Sequence, residues 1–300
     1  MRFFLILLFI ALAACQQQPP PPTTVTPATL QDSLEALIAQ HPEATVAVAI
    51  RDLQTGTTLD ILGDRPFHAA STMKVPVMIE IYRQAEAGRF ALDDPLLVKN
   101  AFRSIVDSSA FSIEDDSDDA IYERLGQKMS IRDLVYQMIT VSSNLATNLL
   151  IDFISADSVQ ATSERLGTTT MRVLRGVEDI KAYRQGLSNS ATANDLATLL
   201  NALREGEAVS PEADSAMVAV LLDQQFNEMI PSGLPADVRT AHKTGWITEI
   251  HHDAAIVYPA QGEPYVLVIL TEGIPEQSDS ATLGAEIARL VHQALRSTAS

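Results

Sequence analysis

Cysteine is almost missing from this 300-residue chain, because Cys15 is the only one. A single cysteine excludes an intramolecular disulfide, so the fold has to rely on a hydrophobic core. Positive charge is also scarce: 21 Lys and Arg residues stand against 38 Asp and Glu, which gives a net charge of −17. An acidic surface of this kind repels phosphate backbones, so we do not expect nucleic acid as a partner.

Long apolar runs are absent except at the start of the chain. Arg2 is followed by an apolar run through Leu12 that is too short to span a bilayer, which is typical of a secretory signal. Leu12-Ala13-Ala14-Cys15 resembles a bacterial lipobox, and an ordinary signal peptide with an incidental cysteine is the alternative. We therefore assign residues 1–15 to a lipoprotein signal peptide that ends at a lipidated Cys15.

The next segment, residues 16–29, is rich in Gln, Pro and Thr and predicts an extended tether without a core of its own. Gln16, at the second mature position, fits release to the outer membrane. The expected location is thus the periplasmic side of a bacterial envelope, with the protein bound to the outer membrane through a lipid on Cys15.

From residue 30 onward, with 46% hydrophobic residues, the composition is that of a globular protein. Apolar spacing predicts a helix from Leu30, capped by Thr29, and then two paired strands before residue 68. Residues 69–235 show mainly helical patterns, and residues 236–300 return to strands and a closing helix. The sequence therefore predicts an α/β (α+β) fold, in which residues 30–68 and 236–300 form one sheet lobe with flanking helices and residues 69–235 form an inserted all-helical lobe.

One segment of the helical lobe, residues 107–119, is strongly acidic. A calcium loop is one interpretation, but the spacing and the central glycine of an EF-hand are missing. We interpret this segment as a solvated loop.

Three short motifs carry the chemical argument. Ser71-Thr72-Met73-Lys74 places a hydroxyl and an amine on one helix face, where a neutral amine could activate the serine. Ser142-Ser143-Asn144 follows an apolar helix, and Lys243-Thr244-Gly245 lies on a strand after the helical lobe. In this order the motifs resemble those of class A β-lactamases and penicillin-binding proteins, over roughly residues 30–295.

The resemblance implies an antiparallel sheet of the serine β-lactamase/transpeptidase type and gives each motif a role. Ser71 would attack an amide or lactam carbonyl, and Lys74 would accept its proton if burial beside Lys243 lowers the lysine pKa. Ser142 would pass a proton to the leaving nitrogen, and Asn144 would bind the substrate's side-chain amide.

The resemblance also implies how the substrate is held. The backbone N–H groups of Ser71 and Trp246 would form the oxyanion hole. Lys243 and Thr244 would bind the substrate carboxylate, while Gly245 would leave room for the substrate along the strand edge. Taken singly, each motif residue has a plainer interpretation, such as a helix cap for Ser71 or a surface position for Lys243.

Deacylation in class A enzymes needs a glutamate, and Glu178 is the candidate here. The family usually carries an asparagine four residues later, where this chain has Ala182, and the spacing from Arg175 to Glu178 is one residue longer than usual. A solvated loop carboxylate is the alternative interpretation of Glu178. These departures bear on deacylation rather than acylation.

Histidines replace an arginine that many class A enzymes use for the substrate carboxylate. Either His251 or His252 could substitute, and a metal site that also includes His242 is the rival interpretation. Because zinc sites usually show recognisable ligand spacing, we favour histidines that are hydrogen-bonded within the sheet.

The resulting expectation is a monomeric, lipid-anchored serine β-lactamase that needs neither metal nor cofactor and acts on a small β-lactam or cell-wall peptide. One alternative is a penicillin-binding-type D-Ala-D-Ala peptidase or an esterase that deacylates slowly. The other is a non-catalytic β-lactam-binding envelope protein.

Overall fold

The structure is a computed structural model, and it describes residues 27–297. The predicted signal peptide, Cys15 and the tether up to residue 26 lie outside the described residues. The helix predicted from Leu30 begins at Pro27, so Thr29 lies inside it and is not its cap. In the described part of the chain, no helix combines the length and the apolar character needed to cross a bilayer.

Residues 27–297 form ten α-helices and eleven strands, numbered in chain order. The helices are α1 (Pro27–Ile38), α2 (Lys74–Glu86), α3 (Asp119–Tyr122), α4 (Ile131–Thr140), α5 (Asn144–Ile154), α6 (Ala156–Arg165), α7 (Ile180–Arg184), α8 (Ala193–Glu205), α9 (Pro211–Leu222) and α10 (Gln277–Ser297). The strands are β1 (Thr45–Asp52), β2 (Thr57–Ile61), β3 (Phe67–His68), β4 (Pro95–Leu97), β5 (Phe102–Arg103), β6 (Ala110–Phe111), β7 (Lys128–Ser130), β8 (Ser190–Ala191), β9 (Arg239–Ile247), β10 (Ile250–Tyr258) and β11 (Tyr265–Glu272).

The main sheet has five antiparallel strands in the order β2-β1-β11-β10-β9. Strands from both ends of the chain meet at the pairing of β1 with β11, as predicted from the interrupted strand pattern. The fold class is confirmed: an antiparallel sheet is flanked by helices and interrupted by a long helical segment. That segment also contains two short strand pairs, β4 with β7 and β5 with β6, and its strand β8 pairs with β3 just before it; the sequence patterns did not predict these pairs.

Alternating side chains divide the core between the two faces of the sheet. On β1, Ala47 and Ala49 pack towards the helical segment, whereas Val46, Val48 and Ile50 pack towards α1 and α10. Small residues on the first face allow the helices to approach the sheet closely. The helical segment therefore shares one core with the sheet, and the lobe boundaries at residues 68 and 235 stay predictions.

Candidate active site

Ser71 lies in a 3₁₀ turn (Ala70–Met73) that leads directly into α2, where Lys74 is the first residue. Ala70 adopts a left-handed φ of 45°, and its N–H donates to His68 Nδ1 at 3.0 Å. Thr72 Oγ1 donates to the Ala69 carbonyl at 2.6 Å. Such a conformation costs free energy in a non-glycine residue, so these contacts hold a strained turn that presents Ser71 at the start of the helix.

The other two motifs converge on the same point. Lys74 Nζ donates to the Ser142 carbonyl (2.7 Å), to Ser142 Oγ (3.2 Å) and to Asn144 Oδ1 (2.9 Å). Lys243 Nζ donates to Ser142 Oγ (3.0 Å) and to the Thr244 carbonyl (2.9 Å). One hydroxyl is thus shared by two lysines, whose side chains are both fully buried. Ser142 has a left-handed φ of 59°, and the next residue, Ser143, caps α5.

Burial changes the acid–base properties of both lysines. It lowers the pKa of Lys74 from 10.5 to about 7, although the charges of Asp116 and Glu178 act in the opposite direction. The pKa of Lys243 is also lowered, first by burial and then by the charge of Lys74. Burial is therefore the main cause of the lowered Lys74 pKa. The repulsion between the two lysine charges lowers the pKa of Lys243 rather than that of Lys74.

The loop that carries Glu178 is fastened to α5. Asn148 Oδ1 accepts from the Val177 N–H (2.6 Å), and Asn148 Nδ2 donates to the Val177 carbonyl (2.9 Å). A Cβ at Gly176 would overlap Asn148 Oδ1, and because Asn148 is held by Val177, a side chain at this position would clash. Glu178 itself has a left-handed φ of 60°, and Asp179 caps α7. The tight turn directs Glu178 into the cavity.

The environment of Glu178 raises its pKa above the ordinary value of a glutamate. Its side chain is half-buried, and burial together with the nearby Asp115 charge raises its pKa, while Arg175 and Lys74 lower it. Arg175 donates to the carbonyls of Leu187 (2.8 Å) and Gly176 (2.9 Å), so it holds the two ends of the loop together. A carboxylate whose pKa is raised is a stronger base, which is the property a water-activating group needs.

Ala182 does not reach the cavities. It is fully buried in α7, and its N–H donates to Asp179 Oδ1 (3.2 Å). The position where the family usually has an asparagine is therefore occupied by a residue of the helix core.

The acidic segment was predicted as a solvated loop, and this interpretation is wrong for two of its residues. Asp116 accepts from the N–H groups of Asn144 and Leu145, both at 2.8 Å, and so caps the N-terminus of α5. Asp118 is buried and caps α3. Asp116 is also the largest charge effect on Lys74. No spacing in the sequence shows this, because the two groups come together only when α5 and α2 pack.

The packing of β9 against the Ser71 turn gives one reason for glycine at position 245. A Cβ there would lie 2.9 Å from the Ser71 nitrogen and 3.0 Å from the Thr72 nitrogen. The space that Gly245 would leave for substrate along the strand edge stays a prediction. The next residue, Trp246, is 56% exposed and stands at the mouth of the cavity.

The histidines of the sheet are held by separate partners. His242 Nδ1 contacts Asp253 Oδ1 (2.8 Å), and His252 Nε2 contacts the His68 carbonyl (2.9 Å) while its Nδ1 accepts from the Thr271 N–H (3.2 Å). Burial lowers the pKa of His252 to about 4, which excludes it as a cationic substitute for arginine near neutral pH. Across residues 27–297, no three His, Cys, Asp or Glu side chains are grouped so as to hold a metal.

Two cavities meet at Ser71. One, of about 300 Å³, extends under the Glu178 loop past His68 and Tyr183. The other, of about 660 Å³, extends along β9 past Thr244 towards His251. Ser71, Asn144, Glu178 and Trp246 line both. A bound molecule at Ser71 would therefore have one open side towards Glu178 and another towards Thr244.

Known proteins are similar to this chain in sequence and fold. A β-lactamase of Sphaerobacter thermophilus has 30% identity and a TM-score of 0.77, with 90% of this chain and 97% of that chain covered. PBP-A, in an acyl-enzyme complex of a mutant with penicillin G, has 25% identity and a TM-score of 0.80, with 90% and 97% covered. β-Lactamase AST-1 of Nocardia asteroides is 27% identical over 278 residues, which is 90% of this chain and 86% of that protein.

The sequence profile of the beta-lactamase enzyme family matches residues 29–295, which is almost all of the described chain. This match includes the serine turn, the Ser142 segment and β9, so the resemblance predicted from three motifs is confirmed. The chain belongs to the beta-lactamase enzyme family.

Proposed function

We propose that the protein is a class A serine β-lactamase that opens the amide of β-lactams through an acyl-Ser71 intermediate. One observation carries this proposal: two buried lysines share the hydroxyl of Ser142, which lines the same cavity as Ser71. Burying two amines around one hydroxyl costs free energy of folding. Such a group can transfer protons, which is needed where a serine must lose a proton and a leaving nitrogen must gain one.

Activation of Ser71 begins at Lys74. Its three hydrogen bonds, to two atoms of Ser142 and one of Asn144, use all three donors of an ammonium group. Loss of one proton frees a lone pair, and a pKa of about 7 makes this loss easy near neutral pH. The neutral amine then accepts the Ser71 proton as Oγ attacks the lactam carbonyl.

Collapse of the tetrahedral intermediate needs two further groups. The N–H groups of Ser71 and Trp246 are proposed to hold the oxyanion, and the close packing of Gly245 on the Ser71 turn supports their convergence. As the C–N bond breaks, Ser142 gives its hydroxyl proton to the nitrogen. Lys243 Nζ, 3.0 Å from Ser142 Oγ, can replace that proton.

Substrate binding follows from the remaining contacts. Asn144 Oδ1 accepts from Lys74, and Nδ2 donates to the Asp115 carbonyl at 3.2 Å, so one amide hydrogen is left for the substrate. Thr244 lines the larger cavity and can donate to a carboxylate. Lys243 is fully buried and acts on that carboxylate through its charge.

Deacylation is assigned to Glu178. Its raised pKa and its place at the junction of both cavities suit a base that activates a water against the acyl-Ser71 carbonyl. The carboxylate takes a proton from water as the hydroxide adds to the ester carbon. The Ser71–acyl bond then breaks, and Ser71 Oγ takes back the proton that Lys74 accepted during acylation.

Nitrocefin hydrolysis by the purified full chain tests this function. We expect turnover that is lost in Ser71→Ala, with a circular dichroism spectrum identical to that of the wild type. A folded wild-type sample without turnover would contradict the proposal.

A second candidate is a penicillin-binding-type D-Ala-D-Ala peptidase or an esterase with slow deacylation. The burial of Ala182 favours it, because no side chain from that position can help Glu178 to hold a water. A long-lived penicillin adduct on wild-type Ser71, together with D-alanine release from D-Ala-D-Ala peptides, would support this candidate. A non-catalytic β-lactam-binding protein is the third candidate, and it predicts no labelling of Ser71 by any penicillin.

Export and anchoring are proposed from the sequence alone. The mature protein is expected to begin at a lipidated Cys15 and to stay with the outer membrane. Mass spectrometry of the mature N-terminus in a bacterial host measures this directly, and an unmodified N-terminus would contradict it.

A further inference from the structure

The larger cavity ends at a histidine for which the proposed mechanism has no use. His251 is 3% exposed, and it lines the cavity together with Thr244, Glu228 and Gln277. Its Nδ1 lies 2.9 Å from Ser280 Oγ on α10.

The hydrogen-bond network fixes which nitrogen carries the proton. Ser280 Oγ donates its own hydrogen to the Gln277 carbonyl at 2.8 Å, so towards His251 it can only accept. Nδ1 of His251 is therefore the protonated nitrogen. Nε2 has no hydrogen-bond partner among residues 27–297. This nitrogen is not fully enclosed by protein atoms, and because His251 lines the cavity, Nε2 faces the cavity. Neutral His251 thus presents a lone pair to a ligand, and protonated His251 presents a donor.

The surroundings of His251 determine whether its imidazole is charged in the protein without ligand. Burial lowers the pKa of His251, although the charges of Asp253 on the same strand and Glu228 on the preceding loop, with the Gln277 carbonyl of α10, act to raise it. The cross-strand neighbours, Trp246 on β9 and Thr271 on β11, are neutral. His251 is therefore mainly uncharged at neutral pH in the absence of a ligand.

The same cavity is poor in positive charge. Four carboxylate residues line this cavity: Asp115, Asp116, Glu178 and Glu228. Among the described residues of its wall, His251 is the one basic residue. Lys74 and Lys243 lie behind this surface and are fully buried. An anionic ligand beside Thr244 would be attracted by the charge of buried Lys243, but it would be repelled by the carboxylates of the wall and by the Nε2 lone pair.

We propose that His251 takes up a proton when a β-lactam carboxylate binds beside Thr244, and that Nε2–H then donates to that carboxylate. This inference rests on the proposed function and adds a specificity-determining residue to it. Binding of an anionic substrate is thereby coupled to proton uptake, whereas an uncharged ester of the same substrate gains nothing from His251.

The coupling has a defined size. Where free His251 is neutral, each bound carboxylate requires one proton, so affinity falls by up to about tenfold per pH unit as pH rises. An arginine, which stays charged, would give no such dependence.

Isothermal titration of benzylpenicillin into the Ser71→Ala protein at pH 7.5 tests the proposal, with buffers of different ionisation enthalpy used to count protons. Ser71→Ala prevents acylation, so binding is measured without turnover. Adding His251→Asn keeps a donor near the Nδ1 position for Ser280 and removes Nε2. The expected result is that this second substitution reduces proton uptake by about one and weakens binding about tenfold or more. His41→Asn, which alters a histidine that lines neither cavity, is the matched control and should change neither quantity.

Each other outcome has a distinct meaning. If benzylpenicillin binds and His251→Asn leaves proton uptake unchanged, the role of His251 is refuted while the proposed function stands. If benzylpenicillin binds at no pH and Ser71 is never acylated in the wild type, the proposed function fails and this inference fails with it. Long-range ¹H–¹⁵N spectra of the Ser71→Ala protein give a check that needs no His251 variant: a histidine must become doubly protonated on benzylpenicillin binding, and unchanged ring signals would overturn the proposal.

Discussion

Lys74→Arg tests how Ser71 is activated. Arginine keeps the positive charge but cannot lose its proton near neutral pH, whereas burial lowers the pKa of Lys74 to about 7. At that pKa about 9% of Lys74 is neutral at pH 6 and about 91% at pH 8, while an unperturbed lysine would be only about 0.3% neutral at pH 8. The rate of acylation should therefore follow the neutral fraction of Lys74.

The assay is acylation at saturating benzylpenicillin, followed by rapid quench and mass spectrometry in a Glu178→Gln background that retains the adduct. Because Glu178 is one of the charges that raise the pKa of Lys74, its neutralisation moves the midpoint to about 7 or below. We expect the rate to rise about four- to tenfold between pH 6 and pH 8 and then level off. Saturating ligand removes the binding effect of His251, which has the opposite sign.

Lys74→Arg should lower this rate by about 10²–10⁴, which is the usual contribution of a general base. A rate independent of pH between 6 and 8, or a Lys74→Arg rate within tenfold of that of its parent, would refute the role of Lys74. If Glu178→Gln itself abolishes the adduct, Glu178 and not Lys74 is the base for acylation.

Three further results are expected. Gly245→Ala should slow acylation by about ten- to hundredfold in a folded protein, because its Cβ would lie 2.9 Å from the Ser71 nitrogen and displace the turn; a wild-type rate would contradict this packing. Ala182→Asn should lower the free energy of unfolding in urea by about 1–3 kcal/mol without faster deacylation, since Ala182 is fully buried; faster deacylation would show that the side chain reaches the water. The free energy of unfolding should rise from pH 7 to pH 9, because the unfolded chain still holds the proton that folded Lys74 releases. The contribution of Lys74 is up to about 1.4 kcal/mol per pH unit. Lys74→Met should reduce this slope, and an unchanged slope would contradict the lowered pKa of Lys74.

The sequence motifs predicted the members of the site but not all of their contacts. Ser71 and Lys74 are close in sequence, so their helix-start geometry could be predicted from local spacing. Lys74 instead bonds to Ser142 and Asn144, which are about 70 residues away and reach it only when α2 packs against α5. Local patterns carry no information about such long-range contacts.

Asp116 and Gly245 also make long-range contacts that local sequence patterns do not predict. Asp116 belongs to a run of acidic residues whose composition indicates a solvated loop, yet the fold makes it accept from the first two N–H groups of α5 and raise the pKa of Lys74. Gly245 was predicted as part of a motif, but its contact with the Ser71 turn depends on the approach of β9. The formation of one sheet from both ends of the chain, in contrast, could be predicted because strand patterns occur near each end.

His251 adds a case where the sequence left alternatives open. The sequence offered two neighbouring histidines as substitutes for an arginine, and strand geometry separates them, because adjacent residues point to opposite faces of the sheet. His252 is enclosed and bonded at both nitrogens, while His251 turns one nitrogen to the cavity.

The fate of acylated Ser71 is measured most directly by a mass-spectrometric time course after one addition of benzylpenicillin. Wild-type protein is expected to gain the mass of one penicillin on Ser71 and to return to its free mass as the drug is consumed, whereas Glu178→Gln keeps the adduct. Glu114→Gln, which changes an exposed glutamate of the acidic loop, is the matched control and should clear the adduct like the wild type. A Ser71 that is never labelled, or a Glu178→Gln protein that clears the adduct as fast as the wild type, would contradict the proposed mechanism.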